Sequence, residues 1–226
     1  MSPLHRKNRT MGRGARCPRP FGVFSLLLAL ALSVGPARAD ARGDARVGLA
    51  ACLEAPTDTA SARATFAALG WTESVERARI ADAIAIALPL QTDLPAEQVV
   101  DRADTLYRDA LGLAAEIAGG AVVFRAQSGA EVAVQIDAFG PGVSVLCHIA
   151  APPGSDPTGF VDALPGDRVT EITGALAFHV ARPQGGEGVM VNTATVIVPD
   201  QPRYDAVNPD RPDIPAILIT SVLVRK

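Results

Sequence analysis

The sequence predicts an α+β domain in which N-terminal helices pack on a mainly antiparallel sheet of about five to six strands. Three observations carry this expectation. Apolar and small residues recur at helical spacing through the first half, the period drops from about 3.6 to about 2 after Gly119-Gly120, and short Gly- and Pro-containing connections separate the runs that follow. Helices first and strands later is the order of segregated layers, not of alternating βαβ units.

The first helix is expected over residues 57–69, where Ala62, Phe66 and Leu69 share a face, Thr57 or Asp58 can cap the start and Gly70 the end. Trp71, the single tryptophan, then packs back on the helix end. Residues 72–88 are assigned to a second helix from the spacing of Ile80, Ile84 and Leu88, although Ile84-Ala85-Ile86 also alternates as a strand would. A longer helix is expected over 95–118. Val99, Ala103, Leu106, Ala110, Ala114 and Ile117 form its apolar face, Asp101, Arg102, Arg108 and Asp109 lie off it, Asp93 is the cap, and Gly119-Gly120 is the stop.

The strands are expected at 122–126, 131–138, 143–150, 175–181, 189–198 and 216–224. The first two flank Gln127-Ser128-Gly129-Ala130, which has the length of a hairpin connection, and Gly140-Pro141-Gly142 precedes the third. In the second strand Val132, Val134 and Ile136 alternate with Glu131, Ala133, Gln135 and Asp137, which predicts one packed face and one solvated face. A turn-rich stretch at 152–157 and a helical turn near 160–164 follow, and a proline-spaced loop, 199–215, precedes the last strand.

Residues 1–39 have the order of a cleaved secretory signal. A basic stretch (His5, Arg6, Lys7, Arg9, Arg13, Arg16, Arg19) precedes an apolar run over 21–34, Gly35-Pro36 breaks it, and Ala37-Arg38-Ala39 supplies small residues for a cut before Asp40. The run is shorter than the ~20 residues that span a bilayer, so no stable membrane insertion is expected after cleavage. Met11 offers a second start with a shorter basic region. Leu49-Ala50-Ala51-Cys52 spells a lipoprotein box, but the polar residues 40–46 separate it from the apolar run, so acylation of Cys52 is not expected. Residues 40–226 then form a single domain.

Charge and cysteines narrow the function. Residues 1–39 hold seven of the 21 Lys and Arg and none of the 24 Asp and Glu, so residues 40–226 carry 14 cationic groups against 24 acidic ones, a net charge of −10. A body this acidic offers no footprint for a phosphate backbone, so nucleic acid is not an expected partner. Of the three cysteines Cys17 leaves with the signal, and Cys52 and Cys147 are the even pair that an oxidising compartment turns into a disulfide.

Several constellations fall short of catalysis. Cys147 adjoins His148, but neighbours on a strand point to opposite faces and cannot bond to each other. His148 and His179, with Asp137 or Glu131, could form a zinc set only if their strands pair, and no clustered ligand motif fixes such a geometry. No G-x-S-x-G elbow is present. Asp205, Asn208, Asp210 and Asp213 are hard ligands without the order of a calcium loop. Gly185-Gly186-Glu187-Gly188 lies between strands and is a turn rather than a phosphate cradle. Hence no catalytic residue, metal or cofactor is assigned.

Arg203, Tyr204 and Arg211 are the candidate binding residues, because Tyr and Arg are enriched at recognition surfaces. The expected function is therefore that of a periplasmic or secreted, non-enzymatic accessory or binding protein, its partner an unknown protein or small molecule. The alternatives are a small hydrolase on the His148/His179 face, or an envelope interaction protein using the 199–215 loop.

Overall fold

The computed structural model describes residues 40–54, 56–91, 102–164, 169–173, 176–181 and 189–225. In chain order these form α1 (Ala41–Leu53), α2 (Thr59–Ala68), β1 (Thr72–Glu73), α3 (Ala78–Ala87) with a 3-10 turn (Leu88–Gln91), and α4 (Ala103–Gly120). There follow β2 (Val122–Arg125), β3 (Glu131–Phe139), β4 (Gly142–Ala150), α5 (Thr158–Val161), β5 (Val169–Thr173), β6 (Leu176–Ala181), β7 (Val189–Pro199), α6 (Gln201–Val207) and β8 (Ile217–Arg225). The strands make one sheet in the order β1-β2-β3-β4-β8-β7-β6-β5, with every neighbouring pair antiparallel.

This is the α+β class that the sequence predicts, with helices preceding the sheet. The six predicted strands correspond to β2, β3, β4, β6, β7 and β8, while β1 and β5 extend the two edges. β8, last in the chain, lies between β4 and β7 and so joins the two halves of the sheet.

Helices cover both faces. On one, α1, α2 and α5 bury Ala45, Leu49, Cys52, Phe66 and Phe160 against Val132, Val134, Val145, Cys147, Ile149 and Leu218. On the other, α3, α4 and α6 bury Ile80, Ile84, Tyr107, Ala114 and Tyr204 against Ala133, Ala150, Ile197, Ile217 and Ile219. The expectation of a solvated second face is thereby corrected for the covered part of the sheet, where Ala133, His148 and Ala150 have no exposure, while Asp137 at the far end of β3 is exposed as expected. The reason is α3, whose Ile80, Ala83, Ile84, Ala85, Ile86 and Ala87 are all buried. Its last five residues, Ala83–Ala87, are apolar without a break, so that end of the helix has no wet side, and it lies against the sheet.

The first predicted helix is α2, where the Asp58 carboxylate accepts from the Ser61 amide at 2.7 Å and the Ser61 hydroxyl accepts from the Asp58 amide at 3.1 Å, a reciprocal cap. Gly70, at φ +80°, turns the chain out of the helix. Trp71 then meets Phe66 edge-on at 5.6 Å, and Phe66 stacks on Phe124 at 4.6 Å. The second predicted helix is confined to α3, since Thr72 and Glu73 pair with Arg125 and Phe124 as β1. Within 95–118 the described helix is 103–120; Asp93, like residues 1–39 and the 184–188 turn, lies outside the described residues. Among the described residues no helix is long and apolar enough to cross a membrane.

Residues 41–53, which carry no element in the pattern described above, form α1. Asp40 caps it by accepting from the Gly43 amide at 3.0 Å. Gly48 lets the helix lie close to the sheet, because a Cβ there would stand 3.0 Å from Ile149 Cδ1. That approach delivers the last turn of α1 to β4.

Candidate functional site

Cys52 lies in the last turn of α1 and Cys147 lies mid-β4. Their Cα atoms are 6.4 Å apart, the sulfurs are at disulfide distance, and both residues have no exposure. Neighbouring His148 belongs to the opposite face, beneath α3, and is also fully buried. Burial alone pushes its imidazole down to about 4, because the charged form loses its hydration.

The histidine has a measurable consequence. The unfolded chain takes up this proton near pH 6.5 and the folded one only near pH 4, so its stability contribution is complete above about pH 6.5 and lost as pH falls towards 4. The size is about 3 kcal/mol. Denaturant titrations across that window are expected to show the loss, and His148→Leu is expected to flatten the slope; an equal slope in the variant would reject His148 as its cause.

The proposed hydrolase face is not assembled. His148 pairs with Ala133 and Ile219, and Ile219 pairs with Thr195, whereas His179 pairs with Val196. The two histidine positions are thus out of row and three strands apart, about 14 Å at strand spacing. Asp137, opposite Ser144, is exposed near the far end of β3. Glu131 is buried and its Oε1 accepts from Arg125 Nε at 2.9 Å. Among the described residues no group of three His, Cys, Asp or Glu is arranged to hold a metal.

The 199–215 segment carries the most polar chemistry, and it is turned inward. Tyr204 is 1% exposed and Arg211 8%, so the recognition surface expected at Arg203, Tyr204 and Arg211 is corrected to a clamp in which only Arg203 retains appreciable exposure. Arg211 Nη1 donates to Asp82 Oδ2 at 3.3 Å, its Nη2 donates to Gln201 Oε1, and its Nε lies 2.9 Å from Asp205 Oδ1. Tyr107 donates to the other Asp82 oxygen and accepts from Asn208 Nδ2 at 3.3 Å. The guanidinium also sits 5.7 Å from the Tyr204 ring centre, and that ring meets Tyr107 edge-on at 5.2 Å.

Electrostatics follow from burial. Desolvation raises the Asp82 carboxyl above its ordinary value, opposed by the Tyr107 hydrogen bond and by Arg211, and it raises the hydroxyls of Tyr107 and Tyr204 as well. A phenol so raised does not ionise near neutrality, and it serves Asp82 as a donor. The cluster therefore fastens one segment to α3 and α4. Arg203 lies 3.4 Å from Asp104 of α4 at the rim.

The oxygen-rich set is dispersed among these tasks. Asp205 faces Arg211, Asn208 holds Tyr107, and Asp213 Oδ2 accepts from the Gly154 amide at 2.6 Å. A second guanidinium ties the same end of the fold together: Arg79 donates to the carbonyls of Asp213 and Gly129, each at 3.1 Å, and to that of Ala151. Sequence reasoning missed Asp82, Tyr107 and Arg79. The available signal was Asp82 itself, a carboxylate set between the apolar pairs Ile80-Ala81 and Ala83-Ile84, which requires a partner once buried.

No protein-family model matches the chain, and neither the curated proteins nor the solved structures give a significant match to it.

Proposed function

We propose that this chain is an exported, non-enzymatic accessory or binding domain that acts in the periplasm or beyond, with a Cys52–Cys147 disulfide as part of its mature fold. The observation that carries the reading is the meeting of two fully buried sulfurs, from elements 95 residues apart in sequence, at bonding distance. Such pairs are kept oxidised outside the cytoplasm. The basic stretch, apolar run and small-residue site of residues 1–39 supply the matching export route. The burial of Asp82, Arg211, Tyr107 and His148 adds support, since these groups serve the interior and a binding function falls to the outer surface.

Export is tested by joining residues 1–39 to a reporter enzyme that becomes active only after oxidation outside the cytoplasm. Activity is expected with the natural segment and loss of it when Leu27 and Leu28 are replaced by Asp. An inactive natural fusion would contradict the reading.

A further inference from the structure

We infer that the outer edge of β3 over residues 135–139 is a docking edge for a cationic, extended peptide segment of a partner protein, which adds to the sheet in line with β2. This deepens the binding-domain reading and rests on it. The edge exists because the two strands differ in length: β2 has four residues and pairs only with Glu131–Val134, whereas β3 continues five residues further. Among the described residues nothing pairs with that continuation on the β2 side.

The backbone groups on offer follow from the ladder. Ser74 N bonds Val123 O on the β1 side and Ala126 N bonds Ala130 O on the β3 side, so Val122 and Phe124 turn towards β3 and face Val134 and Val132. Alternation then turns Ile136 and Ala138 outward, with two N–H and two C=O groups. Gln135, Asp137 and Phe139 instead bond β4, up to the two-residue turn where Gly140 takes φ +53°. Protected edges use lysine, proline, a bulge or a cover. Residues 135–139 contain no lysine or proline, their register with β4 is unbroken, and Phe139 is 57% exposed.

The side chains select the partner's charge. Asp137 and Phe139 are both exposed and share one face, offering a carboxylate beside an aromatic ring. Arginine satisfies both, by ion pair and by stacking. The net charge of −10 on residues 40–226 favours the same sign of partner and disfavours a second copy. Strand addition supplies affinity through the main chain and specificity through alternate side chains.

The test uses the full chain purified from the envelope, with capped twelve-residue peptides alternating Arg and Val, or Glu and Val, as probes. The Arg peptide is expected to bind by fluorescence anisotropy and to slow amide exchange at Ile136 and Ala138. Asp137→Lys is expected to weaken it by about tenfold or more. Ala138→Pro is expected to abolish binding while leaving the melting temperature near wild type, because the lost N–H points outward at an edge. Equal binding of the two peptides, or unchanged binding in Ala138→Pro, would overturn the proposal. So would amides at 136 and 138 already protected in the isolated chain, or a dimer abolished by Ala138→Pro, since each names another occupant. Failure here leaves the reporter result for residues 1–39 unaffected, so the two ideas fail separately.

Discussion

Arg211→Ala is expected to destabilise the folded domain by about 3–5 kcal/mol, the cost of removing one partner from a buried ion pair. The Arg211 and Asp82 side chains are 0% and 4% exposed, so solvent cannot replace what is lost. The variant leaves the Asp82 carboxylate with Tyr107 alone and strips Gln201 Oε1 of its donor. The double variant Asp82→Ala/Arg211→Ala is expected to cost less than the sum of the single ones, because it no longer strands a charge. The pH dependence has a definite sign. Burial raises the folded Asp82 carboxyl, so the native state holds that proton more tightly than the unfolded chain. Arg211 holds that carboxyl lower than burial alone would, so its loss raises the folded value further. The unfolded state is common to both proteins, and the deficit of Arg211→Ala therefore shrinks as pH falls through the variant's folded value, with the part due to Asp82 gone once pH is below the wild-type folded value. Urea unfolding of both proteins at several pH values reads this directly; a constant deficit would place the loss elsewhere.

The second large effect belongs to the sulfur pair. Cys52→Ala/Cys147→Ala is expected to lose about 4–5 kcal/mol, the chain entropy released when a crosslink spanning 95 residues is removed. That is a large share of the ~5–15 kcal/mol by which domains are stable. Because both residues are fully buried, reductant alone is expected to leave the native protein oxidised, and reduction is expected to need denaturant. Where the double variant fails to fold, midpoints of the wild-type protein with and without reductant in a urea gradient make the same comparison. Coincident midpoints would show that the two sulfurs add nothing to stability.

The parts legible in the sequence were those whose pattern reports one neighbour at a time. Asp58 and Gly70 mark α2, the alternation of Val132, Val134 and Ile136 marks β3, and the even cysteine pair marks the two sulfurs that meet between α1 and β4. What failed depended on a second layer. Ala133, His148 and Ala150 match a solvated face in polarity or small size, and only the unbroken apolar run Ala83–Ala87 of α3 says that something covers them. α1 was missed because its buried set is small: Ala41, Ala45, Leu49 and Cys52 keep helical spacing, while Arg42, Asp44 and Arg46 between them suggest a solvated stretch. The candidate site was the least legible part. Tyr204 and Arg211 have the chemistry of a recognition surface, and their burial follows from partners over 90 residues away, Asp82 and Tyr107, which no local pattern connects to them.

The most direct test of an exported, internally crosslinked domain is the intact mass of the protein recovered from an envelope fraction, alkylated under denaturing conditions with and without prior reduction. A monomer that begins at Asp40 and gains two alkyl groups only after reduction is the expected result. A chain beginning at Cys52 with a lipid-sized increment would contradict the account, as would two thiols that alkylate without reduction.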